Sequence, residues 1–160
     1  PVLTVREKRT SPVAVNQKLI FGLNVSAIDR GQNTGPQDEN IRILFVEDED
    51  SVRTFAMRAL KKKGYEVIGC NSAENALEQL EKDTAFNLLI TDMVMPGMSG
   101  AELAGIVRRK IPAIKIILAS GYSEEIARRE LASSQDFEFM ANPFSLGDLT
   151  KKVFDVLNQK

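Results

Sequence analysis

The sequence contains no histidine and no tryptophan, one cysteine and only two tyrosines. Each shortage removes a class of chemistry. Without histidine there is no Ser-His-Asp or Cys-His nucleophile, no imidazole acid or base, and few of the usual zinc sites. The lone Cys70 cannot form an internal disulfide; in its apolar setting it reads as a small buried hydrophobe, in keeping with a cytoplasmic location. Basic residues number 21 against 22 acidic ones, for a net charge of −1, and no Lys/Arg block stands out. A nucleic-acid partner is therefore not expected. No apolar run approaches about 18 residues, and the opening Pro1-Val2-Leu3-Thr4 has neither a charged leader nor a signal-peptide core. The segment is expected to be soluble and to make no membrane contact itself. An opening at Pro1 rather than Met suits a piece of a longer chain, in whose remainder a membrane anchor could lie. What is left is carboxylate, hydroxyl and oxygen-ligand metal chemistry.

With 160 residues, 43% of them hydrophobic, the chain can build one core-bearing domain plus a tail. Residues 1–40 carry short β-like pieces (Val2 to Val5, Leu19 to Phe21) among Gly, Asn, Gln, Pro and Asp, and "DRGQNTGPQDEN" at 29–40 has linker composition. This stretch reads as an N-terminal arm or interdomain linker whose apolar "KLIFGLNV" is able to dock on a neighbour or on the domain. The domain is expected over 41–160.

There the hydrophobic period alternates. Apolar runs at 41–46, 65–70, 86–91, 113–120 and 137–141 suit buried strands. Between and after them lie helical patterns: 50–64 with Val52, Phe55, Ala56, Ala59 and Leu60 on one face and Gly64 as stop, and 72–83 behind Ser72 as N-cap. The others are 99–110 behind Ser99, the less apolar 123–134, and 145–159 with Leu146, Leu149, Val153, Val156 and Leu157. Five βα units with nearly continuous apolar strands predict an α/β fold, a parallel sheet covered by helices on both faces. In such sheets ligands bind beyond the carboxyl ends of the strands.

Those ends carry polar chemistry. Glu47-Asp48-Glu49-Asp50 follows the first strand, Asp92 ends the third, Ser120 the fourth and Asn142 the fifth. Glu49 and Asp50 read as a solvated helix start favoured by the macrodipole. Glu47, Asp48 and Asp92 would share one crevice, and such concentrated charge calls for a cation. A sparse, all-oxygen carboxylate set suits Mg²⁺ or Mn²⁺ better than Ca²⁺. Ser120 alone would pass for a turn hydroxyl, since "SGYS" is a good turn sequence.

The motifs "ILFVEDEDSVR", "NLLITDMVMPGMSG", "IILASGY" and "NPFSLGDL", in this order across 41–158, resemble the CheY-like receiver domains of two-component phosphorelays. Their particular forms are most similar to the C-terminal receiver of CckA-type hybrid sensor histidine kinases, which control the cell cycle. The resemblance implies a doubly wound (βα)5 fold with strand order 2-1-3-4-5. It makes Asp92 the phosphoacceptor for a phosphohistidine donor, with Glu47, Asp48, Asp92 and the Val94 backbone carbonyl holding Mg²⁺. Ser120 matches the switch hydroxyl and Phe139 the switch aromatic. Pro96 and Gly97 shape the adjoining loop, and Pro143 follows an often cis peptide bond. Asn142 departs from the pattern, which has Lys there: an amide donates a hydrogen bond but brings no charge. Implied partners are a histidine kinase core or a histidine phosphotransferase, docking near the first helix, with the domain a monomer or weak dimer. Such a domain catalyses its own phosphorylation and dephosphorylation and is not a kinase by itself. A parent histidine kinase would place it on the cytoplasmic side of an inner membrane.

Two other readings stand beside this one. A pseudo-receiver would keep the fold as an interaction module with a switch weakened at Asn142. A Mg²⁺-dependent hydrolase with Asp92 as nucleophile would want a second carboxylate two residues on, where Val94 stands.

Overall fold

A computed structural model of the protein describes residues 40–124, 127, 129 and 136–159. The arm expected over 1–40, apart from Asn40, lies outside these residues, as does most of the helix expected over 123–134. Asn40–Lys160 forms one compact unit.

The described elements are β1 (Arg42–Val46), α1 (Asp50–Lys62), β2 (Glu66–Cys70), α2 (Ala73–Lys82), β3 (Leu88–Asp92), α3 (Gly100–Lys110), β4 (Lys115–Ser120), β5 (Glu138–Ala141) and α4 (Leu146–Asn158). The strands make one parallel sheet in the order β2-β1-β3-β4-β5. This is the doubly wound order expected.

Strand alternation divides the core between the two faces. Ile43 and Phe45 of β1, Leu88 and Ile90 of β3 and Ile117 and Ala119 of β4 pack against Ala56 and Leu60 of α1 and Leu149, Val153 and Val156 of α4. The intervening Leu44, Val46, Leu89, Ile116 and Leu118 point the other way, onto Ala73, Ala76 and Leu80 of α2 and Leu103, Ala104 and Val107 of α3. The strands read as continuous apolar runs because neither face meets water. Each large side chain buried this way contributes about 1.5–3 kcal/mol, so the alternation also fixes the register.

The helices start where the sequence signals them. The Ser72 side chain accepts from Asn75 N–H, and Ser99 and Ser145 each form a reciprocal capping box with Glu102 and Asp148. Two apolar positions depart from expectation. Phe55 is 58% exposed and Leu146 44% exposed, although both were placed on core faces. The buried stripe of α1 is the Ala56–Leu60 line, and one residue of helix turns Phe55 about 100° away from it. Leu146 opens α4 three residues before Leu149, its first buried side chain.

Because β1 lies between β2 and β3, the chain leaves β1 and β3 toward opposite faces and their following loops part. The crevice opens there, at the carboxyl edge. Hydrogen bonds tie that edge together: Glu47 N–H donates to Cys70 O (3.0 Å), Met93 N–H to Ala119 O (2.8 Å) and Asn142 N–H to Ser120 O (2.8 Å).

Candidate functional site

Glu47 follows β1 directly and is 5% exposed, although it is ionisable. Its Oε1 accepts the Glu49 N–H at 3.0 Å, and Arg53 of α1 donates to its backbone carbonyl at 2.7 Å. Arg53 also pairs with Asp50. Asp48 is exposed beside it, and Asp92 closes β3, half-buried. One oxygen from each of Glu47, Asp48 and Asp92 lies within 4.8 Å of the other two. The structure thus brings together the three carboxylates that the sequence singled out.

None of the described ion pairs reaches this trio. The electrostatic consequence falls on Glu47. Burial first, and then the charges of Asp92 and Asp48, push its carboxyl up to about 7, against the Glu49 N–H that pulls it down. Asp92 is also raised, again chiefly by burial, with hydrogen bonds from Val94 N–H and Asn142 opposing. Burial and mutual repulsion of carboxylates are relieved when a cation shares their charge. An all-oxygen, anionic donor set fits a hard divalent ion such as Mg²⁺ or Mn²⁺.

The Asp92 carboxylate is oriented at both oxygens. Oδ1 accepts from Val94 N–H at 3.1 Å and Oδ2 accepts from Asn142 Nδ2 at 2.9 Å. Asn142 therefore reaches Asp92 as a neutral donor. The Asn142–Pro143 bond is cis. Ser120 is buried at the end of β4, and its Oγ accepts the Tyr122 N–H at 3.1 Å, so the turn role and a site position coexist. Ser120, Tyr122, Phe139 and Met140 line a cavity of about 210 Å³, which puts the expected switch hydroxyl and switch aromatic beside one void. Phe139 itself is buried. The Val94 side chain is 67% exposed, and what the site would use is its backbone.

Sequence reasoning did not single out two residues at this edge. Gly100 begins α3 against the acceptor strand: a Cβ there would stand 1.8 Å from the Asp92 carbonyl oxygen. Glu74 of α2 accepts the Met98 N–H at 2.9 Å. The "MSG" motif hints at the first. Nothing local signals the second, which joins residues 24 apart.

Residues 43–154 match the family described as response regulator receiver domain. The chain belongs to that family. Over 116 residues, 72% of this chain and 96% of the relative, the receiver is 34% identical to the response regulator receiver protein CpdR of Brucella abortus (strain 2308). It is 33% identical over 159 residues to the sensor kinase CckA of the same organism, spanning 98% of this chain but only 16% of that kinase. Among solved structures it is similar to the receiver domain from the hybrid histidine kinase CckA, with TM-score 0.62 and 34% identity over 73% of this chain and 99% of that one. It is also similar to TrrA of Thermotoga maritima in complex with Mg²⁺-BeF, with TM-score 0.63 and 34% identity over 72% of this chain and 98% of that one. The receiver is thus a two-component signalling domain related to CckA and CpdR. Among the described residues no helix is long and apolar enough to cross a membrane.

Proposed function

We propose that this receiver accepts a phosphoryl group from a phosphohistidine onto Asp92. The observation that carries the reading is the meeting of Glu47, Asp48 and Asp92 oxygens within 4.8 Å at the carboxyl edge, with Asn142 and Val94 N–H already holding the Asp92 carboxylate. In the reaction an Asp92 oxygen attacks phosphorus and the O–P bond forms as the P–N bond to the donor imidazole breaks. The leaving nitrogen keeps the electron pair and takes up a proton. Glu47, Asp48, Asp92 and the Val94 carbonyl would hold a divalent cation, whose positive charge would offset the negative charge spread over the phosphoryl oxygens. The chain's own part is positioning. The amide of Asn142 and the Val94 N–H orient the nucleophile, and the Ser120 hydroxyl turns from the Tyr122 N–H toward a phosphoryl oxygen once the acyl phosphate exists. The cavity beside Ser120 gives the Phe139 ring room to follow. Water attack on the acyl phosphate later resets the site.

The donor is a histidine kinase core or a histidine phosphotransferase, met in the cytoplasm, and the chain is the C-terminal part of a hybrid histidine kinase controlling the cell cycle. Supporting this origin, the likeness to CckA runs over 98% of the chain and so extends well beyond the receiver residues 43–154, whereas the likeness to CpdR covers 72%. A second reading rests on Asn142: its neutral bond to Asp92 replaces an ammonium contact, which favours an interaction module with a weakened switch.

Beryllofluoride with Mg²⁺ checks the site. The phosphoacceptor reading expects amide resonances at 92–94, 120 and 142 to shift in the parent and to stay still in Asp92→Asn. Equal spectra for the two proteins would contradict it. Shifts confined to the Asp92 pocket, leaving Phe139 unmoved, would favour the weakened switch.

A further inference from the structure

The loop 93–99 carries the Val94 carbonyl from β3 to α3. Its ends are fixed by backbone bonds, Met93 N–H to Ala119 O at 2.8 Å and Gly100 N–H to Met93 O at 3.0 Å. Between those ends the flanking elements supply two side-chain acceptors, Asp92 for the Val94 N–H and Glu102 for the Ser99 N–H; a third comes from farther away, Glu74 in the first turn of α2, whose Oε1 accepts the Met98 N–H at 2.9 Å. Gly97, next to that amide, has φ 78°, a left-handed conformation that glycine adopts without strain. The same residue is a seat for the carboxylate: a Cβ at Gly97 would lie 2.8 Å from Glu74 Oε1 and 3.5 Å from its Cδ. The Met98 bond is the leading reason that the Glu74 carboxyl titrates below its usual range. An exposed glutamate on a helix ordinarily leaves its carboxylate to water. Here the carboxylate is spent on a loop amide across 24 residues of sequence.

We propose that Glu74 is a positioning residue for the phosphorylation site: by clamping the Met98 N–H it limits the travel of the Val94 carbonyl relative to Glu47, Asp48 and Asp92. The clamp is a property of the loop, and its functional part rests on the metal site proposed above. The two fail separately. Amide hydrogen exchange without metal reads the clamp, and a Mg²⁺ titration followed through amide shifts reads its effect, each on the parent, Glu74→Ala and Glu74→Gln. Glutamine keeps a carbonyl oxygen to accept the bond and drops the charge.

In Glu74→Ala the Met98 N–H exchanges about tenfold faster and Mg²⁺ affinity falls about threefold to tenfold, the range of one net hydrogen bond. Glu74→Gln stays within about twofold of the parent in both. Unchanged Met98 exchange in Glu74→Ala overturns the clamp. An equal loss of Mg²⁺ affinity in both variants overturns positioning, because charge alone then explains it. A parent that binds no Mg²⁺ overturns the metal site and with it the functional part, while Met98 exchange still reports on the clamp.

Discussion

At the scale of single residues the site is a problem of concentrated charge: among the described residues no ion pair reaches Glu47, Asp48 or Asp92. Asn142 reaches Asp92 with a neutral amide, so no ammonium from β5 offsets the trio. Replacing it by lysine puts a charge-assisted donor on the same oxygen, and such a bond is about twice as strong as a neutral one. Asn142→Lys should tighten beryllofluoride retention in the presence of Mg²⁺ by about threefold to tenfold. Unchanged retention would remove position 142 from the site. Glu47 makes the complementary prediction. Its folded carboxyl is raised from 4.5 to about 7, so the folded state binds the proton more tightly than the unfolded chain does. That stabilisation is fully present below about pH 4.5 and is lost as pH rises toward 7. Glu47→Gln mimics the protonated side chain at every pH. Without metal, its stability advantage over the parent should grow from pH 4.5 to about 7 and then level off, as read by denaturant titration. On the order of 3 kcal/mol is expected at pH 8, and added Mg²⁺ should reverse the order by stabilising the parent. A gap that stays constant with pH would contradict the burial argument.

At the scale of elements, the ends matter as much as the middles. Ser99 caps α3 by accepting Glu102 N–H at 3.2 Å, and Glu102 returns a bond to Ser99 N–H at 2.9 Å. Ser99→Ala should cost about 0.5–2 kcal/mol in unfolding free energy, with the Gly100 to Glu102 amides exchanging faster. The serine caps, the strands and the helix order were legible because they are written in local signals: a hydroxyl before a helical stripe, an apolar run before an acid. Phe55 and Leu146 were misjudged for a related reason. Helical spacing allows a stripe of a certain width, and only the neighbours decide its edge; the sheet meets Ala56 and Leu60 and leaves Phe55 outside. Arg108 shows what local signals miss altogether. It closes α3 by donating to Pro112 O, Ile114 O and Asp136 O and lies over the Phe137 ring, joining three separate stretches through one guanidinium.

At the scale of the whole molecule, two core layers clamp one parallel sheet so that four strand ends reach a single edge. The meeting of Glu47, Asp92, Ser120 and Asn142 at the carboxyl edge was legible because each follows an apolar run directly, and the winding order does the rest. Glu74 and Gly100 were not, since their partners are met only after α2 and α3 are laid against the sheet. The central claim is that this edge takes phosphate on Asp92. Phosphotransfer from a purified phosphohistidine donor tests it most directly, followed by intact mass with Mg²⁺ and with a chelator. A gain of one phosphoryl group is expected in the parent with Mg²⁺, little with chelator, and none in Asp92→Asn. Equal phosphorylation of Asp92→Asn, or none in the parent from any competent donor, would contradict it.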